Sequence, residues 1–239
     1  MDWAFVARFL SITVIDLTLA GDNAVVIGMA VRSLPEKQRR LGIFWGAFGA
    51  VALRVAVTFI AAQLLLIPLL QFGGGVLLIW IAWKLIQNPP GAEGGPHLKA
   101  GEGLLQAVKI IILADFIMST DNMLAVAAAS HGSFFLLLFG LGFSIPIILF
   151  CSALVARMMN KWPWLVLLGA GILGYVAGEM IVADKLVHVR LEPYARLAER
   201  AVPIALALLV VLLGKWVESK GKKKEKDEAK AADQVVPIE

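Results

Sequence analysis

The sequence predicts an all-α membrane protein of seven transmembrane helices, arranged as two inverted three-helix repeats plus a seventh helix. Three observations predict it: a composition too apolar for a soluble ball, apolar runs of bilayer length, and a set of acids that recurs in the second half. Of 239 residues, 59% are hydrophobic and 17% charged, against about 45–50% and about 25% in soluble domains. Mean hydropathy is +0.81. The charges are bunched as well, since 13 of the 40 Lys, Arg, Asp and Glu side chains lie in 215–239. What remains cannot coat a globule, which excludes a soluble domain, a nucleic-acid binder and a disordered chain. The pI near 9.3 reflects the Lys-rich tail, a composition that holds the cytoplasmic side of a membrane helix and meets anionic lipid.

A hydrocarbon core of about 30 Å needs about 20 apolar residues in helix. Such runs are Phe5–Val31, Gly42–Leu65, Phe72–Ile86, Leu104–Ser130, Phe134–Met158, Trp164–Val182 and Val202–Trp216. The third and seventh are short, with Trp80, Trp83 and Trp216 suited to the interface. Pro146 is a potential kink in the fifth. The first run contains Asp16 and Asp22, and Asp2 stands where a signal peptide would be basic, so it is expected to be a retained span. Cys151 has no cysteine partner, so no disulfide framework is expected.

Lys and Arg set the orientation. They are concentrated in the first loop (Arg32, Lys37, Arg39, Arg40), around the third (Lys84, Lys99, Lys109), in the fifth (Arg157, Lys161) and in the tail; loops 61–72 and 130–133 have none. The N-terminus is therefore expected outside and the C-terminus in the cytoplasm, in the cell inner (plasma) membrane. The organisation follows: repeat 1 over 1–87, a Gly/Pro-rich cytoplasmic linker over 88–103, repeat 2 over 104–183, an outer amphipathic loop over 184–201, the seventh span over 202–217, and a charged tail over 218–239, expected to be disordered.

The repeat is legible at an offset of 99. Asp16, Asp22 and Asn23 fall on Asp115, Asp121 and Asn122, and Gly73-Gly74-Gly75 follows the pattern of Gly169-Ala170-Gly171. Because each unit has three spans, the second crosses the membrane in the opposite sense, as in secondary transporters whose site lies at the midplane between repeats. A carboxylate at the bilayer centre costs about 2.5–3.5 kcal/mol. Four of them unpaired and facing lipid would amount to roughly 10 kcal/mol or more. Either several are protonated or a cation visits them, and a divalent cation held by hard oxygen ligands suits paired carboxylates. Residues seven apart return to within about 20° on a helix, so Asp16 shares a face with Asn23, and Asp115 with Ser119 and Asn122. Gly21 suggests local unwinding, which would bring Asp22 toward that face.

Oxygen ligands suit Mg, Ca or Mn. Met29, Met118 and Met123 lie near the acids, where a thioether would tilt the preference toward Mn; packing is the blander account of each. Glu179 and Lys84 fall at neighbouring positions of the repeat and are candidates for coupling or gating, or else for membrane-edge anchors. Arg54 is either a counter-charge that keeps an empty site neutral or half of an ion pair that never meets metal.

The segments Gly21–Ala30 and Ala114–Asn122 resemble the TerC family of integral membrane proteins, in particular its short bacterial YjbE-like branch, and Leu78–Leu85 and Gly174–Met180 match that family's third and sixth spans. The resemblance implies seven spans with inverted repeats, a relation to the LysE-type transporter group, export of manganese from the cytoplasm, and metal binding at Asp16, Asp22, Asn23, Asp115, Asp121 and Asn122. The leading expectation is thus a transporter and no enzyme, with Mn2+ as cargo, H+ as a possible coupling ion, no permanent cofactor, and the lipid bilayer as surroundings. The alternatives are another divalent cation/proton antiporter (for Ca2+ or similar), an intramembrane aspartyl protease built on two Asp, and a non-transporting membrane component of tellurite or metal-stress resistance.

Overall fold

The computed structural model of the chain describes residues 6, 9–14, 16, 21–58, 60, 64, 67–87, 102–120, 123, 126, 129–130, 133–191 and 194–233, with backbone alone at 191 and 220–233. Among the described residues there is no strand. After helical residues 9–14 and Asp16 come α1 (Gly21–Val31), α2 (Glu36–Thr58), α3 (Leu70–Gln87), α4 (Glu102–Ser119), α5 (Phe134–Lys161), α6 (Trp164–Ala183), α7 (Lys185–Leu191) and α8 (Ala195–Asp233). In lipid every backbone amide must bond within its own segment, and a helix achieves this.

Five helices, α2, α3, α5, α6 and the 195–219 part of α8, are long and apolar enough to cross a membrane. The expected first span is represented by α1, an apolar helix of 11 residues, and much of the rest of that span lies outside the described residues. The expected fourth span is represented by α4, whose 18 residues include Glu102, Lys109 and Asp115. Helix α5 runs through Pro146 without interruption. Its N-terminus is capped by Ser133, whose Oγ accepts the Leu136 N–H at 3.4 Å.

Helices from the first half pack chiefly on helices from the second. α1 lies on α5, α2 on α4 and α3 on α6, with α8 laid along α6. Glycines admit these close approaches, as small residues do between membrane helices. A Cβ on Gly28 would come within 2.7 Å of Val155, one on Gly46 within 2.7 Å of Ile111, and one on Gly75 within 2.6 Å of the Ala177 carbonyl. The main apolar cluster runs through α1, α3, α4 and α6 by way of Met29, Leu78, Ile111 and Leu173, and a smaller one joins Ile12, Val55 and Leu141. Phe44, Trp45 and Phe48 of α2 and Phe135, Phe139 and Phe143 of α5 are exposed, as a lipid-facing surface requires.

Two features at the ends differ from expectation. Asp184, placed by the sequence in an outer loop, is buried. Its carboxylate accepts the Phe72 N–H at 3.3 Å and the Leu186 N–H at 3.0 Å, tying the start of α3 to α7. The tail expected to be disordered is helical through Asp233, continuous with the span. Its physical reason is composition: 217–233 is dominated by Lys, Glu and Ala, all strong helix formers.

Candidate functional site

The polar centre of the molecule is built around Arg54, in the last third of α2 (Glu36–Thr58) and buried, with 5% of its surface accessible. Its backbone carbonyl accepts the Thr58 hydroxyl at 2.7 Å. A guanidinium has five N–H donors in a planar fork and stays charged in proteins, so at this depth it needs acceptors. Nη1 donates to Asp16 Oδ1. Nη2 donates to Asp115 Oδ1 at 2.6 Å and also to the Ser119 hydroxyl. Both acids come from the positions matched at the offset of 99, one from each half of the chain, and both end on the same cation.

The other oxygens are held in turn. Ser144 of α5 donates its hydroxyl to Asp16 Oδ2. Asn23 Nδ2, from α1, donates to Asp115 Oδ1 at 3.0 Å. The site is therefore lined from α1, α2, α4, α5 and the helical residues before α1. Two of its buried polar atoms, Asn23 Oδ1 and Arg54 Nε, have no hydrogen-bond partner among the described residues. The free carbonyl oxygen of Asn23 beside a carboxylate is an unused hard ligand.

The remaining predicted residues divide. Asp22 stands in the first turn of α1, half-buried, where its Oδ1 accepts the Asn23 N–H at 2.9 Å; a carboxylate there favours the helix N-terminus. Asp121 and Asn122 lie outside the described residues; Gly21, where local unwinding was expected, is instead the first residue of the helix α1. Ser119 joins the site. The thioether of Met29 packs against Gly169, and Met118 and Met123 are buried, Met118 within the main apolar cluster. Lys84 and Glu179 are not brought together: the Lys84 ammonium lies 5.1 Å over the Trp80 ring, and Glu179 is on the exposed face of α6. Among the described residues no group of three or more His, Cys, Asp or Glu is arranged around a metal. The sequence reading missed Ser144; its only signal was to be one of two serines, with Ser152, in the apolar run of α5, one turn after Gly140.

Apolar helices packed half against half around a buried cluster of two carboxylates, one guanidinium and three neutral polar side chains define a multi-pass helical membrane protein with an ionic centre. The chain matches the model of the integral membrane protein TerC family over residues 1–222. It belongs to that family. It is similar to YjbE of Bacillus subtilis (strain 168), an uncharacterized membrane protein, with 42% identity over 212 residues that cover 89% of this chain and 95% of that one. It is also similar to YceF of the same organism, 30% identical over 140 residues covering 55% and 54% of the two chains. A third relative is the inner membrane protein YgdQ of Escherichia coli (strain K12), 24% identical over 196 residues covering 75% and 81%. No solved structure matches the chain.

Proposed function

We propose that this protein is a secondary transporter that exports divalent metal cations, Mn2+ first among them, by alternating access at the Asp/Asn site between two inverted repeats. The observation that carries the reading is the convergence of Asp16 and Asp115, equivalent residues of the two halves, at one buried point with Asn23 and Ser119. Packing supports the repeat. Exchanging the first, second and third spans with the fourth, fifth and sixth turns the α1–α5 pair into α4–α2, and returns α3–α6 to itself. These are the pairings found. Two halves that touch mainly each other can rock as bodies around a site at their seam.

All the ligands on offer are oxygens, which fits a hard or borderline divalent ion better than Zn or Cu. With Asp16 and Asp115 at the site and Asp22 in the first turn of α1, there is enough charge to take the ion and leave a carboxylate over for a coupling proton. A proteolytic dyad needs two carboxylates sharing one proton. Here a guanidinium stands between Asp16 and Asp115, which favours ion handling over proteolysis. The seven-span topology has the N-terminus outside and the Lys-rich end of α8 in the cytoplasm, in the inner membrane where the relative YgdQ is described. The test is flux of Mn2+, Ca2+, Mg2+ and Zn2+ by purified protein in liposomes with internal pH recorded. Mn2+ flux that falls to the empty-liposome rate in Asp115→Asn is the expected result. Flux of none of the four, or flux indifferent to that substitution, defeats the proposal.

A further inference from the structure

We infer that Arg54 is a built-in competitor for the cargo: its guanidinium holds Asp16 and Asp115 when no ion is present, and the divalent cation binds by displacing it. The inference rests on the proposal that these acids form the ion site, and adds how the empty site is kept and released.

Geometry supplies the first reason. The oxygens that a metal would take are the ones Arg54 already occupies, Oδ1 of Asp16 and Oδ1 of Asp115, together with the Ser119 hydroxyl. A divalent ion sits about 2.0–2.6 Å from such oxygens, so a guanidinium on the same atoms would face it as a like charge at contact distance. Both cannot be seated. Satisfaction supplies the second. A permanent buried ion pair is tolerable when its remaining hydrogen-bonding groups are also met. Around Arg54 they are not, because its own Nε and the neighbouring Asn23 Oδ1 are buried without partners among the described residues. The orphan on the acid side is an acceptor, which a metal can use and which Arg54 leaves idle.

Asymmetry supplies the third reason. Arg54 is the only basic side chain fully buried among the described residues. Its counterpart helix in the second half, α5, has no basic residue before Arg157, and contributes the neutral Ser144 to the site instead. One internal cation therefore serves the acids of both repeats. That arrangement lets the unloaded site change its exposure without two bare carboxylates, so Arg54 acts on the return half of the cycle. Arginine stays charged throughout, so the exchange needs no proton.

The experiment compares Mn2+ binding to purified protein with two liposome assays, net Mn2+ efflux and Mn2+/Mn2+ exchange, for the parent, Arg54→Gln, Arg54→Lys and Asp115→Asn. Removing the competitor is expected to tighten Mn2+ binding at least about tenfold in Arg54→Gln, preserve exchange, and reduce net efflux to under about one tenth. Arg54→Lys keeps a displaceable cation without the planar fork and is expected to fall between the parent and Arg54→Gln in affinity, with net efflux above that of Arg54→Gln. Weaker or unchanged binding in Arg54→Gln overturns the inference, as does Arg54→Lys behaving like Arg54→Gln. Should Arg54→Gln not fold, parent protein carrying isotope-labelled arginine decides. A Mn2+-induced shift of a guanidinium infrared band, absent from Arg54→Lys, is expected, and no such shift overturns it. Asp115→Asn separates the two claims: if it binds Mn2+ as the parent does, the ion site itself is wrong and the inference falls with it.

Discussion

Asp16 is the most completely enclosed acid of the site, with 1% of its surface accessible, and its two oxygens are shared between Arg54 and Ser144. A hydrogen bond to a charged group is worth about 1.5–3 kcal/mol. Ser144→Ala is therefore expected to lower stability by about 1.5–3 kcal/mol, read as a fall in the thermal midpoint of purified protein in detergent, while Ser152→Ala, whose buried hydroxyl has no partner among the described residues, leaves the midpoint within experimental error or raises it. Equal losses in both would mean that Ser144 does not hold Asp16. At this scale the acids were legible because carboxylates inside apolar runs demand an explanation, and the offset of 99 matched them. Arg54 was legible as a basic residue at the right depth, but not the choice between its two roles, because a linear sequence does not say which helix faces which. Ser144 was not legible, since serine is unremarkable in a membrane helix.

Helix positions were read well and their ends less well. The runs at 134–158 and 164–182 each coincide with an apolar helix, and the run at 42–65 overlaps α2 as far as Thr58, because length and composition decide whether a segment suits lipid. Ends are decided by local caps and by charged segments whose helix propensity hydropathy ignores, so Asp184 and the helical tail both escaped. Contacts between helices follow from glycine positions. A Cβ at Gly178 would lie 2.4 Å from Pro203 Cα of α8, whereas one at Gly142 would meet nothing within 4 Å among the described residues. Gly178→Ala is expected to force α6 and α8 apart and cost about 1–3 kcal/mol. Gly142→Ala is expected to stabilise by about 0.5–1 kcal/mol through helix propensity. Thermal midpoints of the two variants, moving in opposite directions, check both; a shared direction contradicts the α6–α8 contact.

For the whole molecule the proposal combines two levels that the sequence kept separate: a membrane topology set by Lys and Arg, and a repeat set by Asp and Asn. Topology is tested by single cysteines in a Cys151→Ala background. Lys37→Cys is expected to react with an impermeant thiol reagent only from the cytoplasmic side and Arg196→Cys only from outside; reversed labelling would invert the proposed orientation and turn export into import. The proposed repeat would account for one buried point collecting an acid from each half, and for small relative movements of the halves changing access to it. The central claim is that this point takes a divalent cation. Electron paramagnetic resonance of Mn2+ titrated into the purified protein tests it most directly, because free and protein-bound Mn2+ give distinct spectra. One bound Mn2+ per chain in the parent, with at least about tenfold weaker binding in Asp16→Asn and in Asp115→Asn, is the predicted result. A parent that leaves all the Mn2+ free, or variants that bind it as the parent does, would contradict the account.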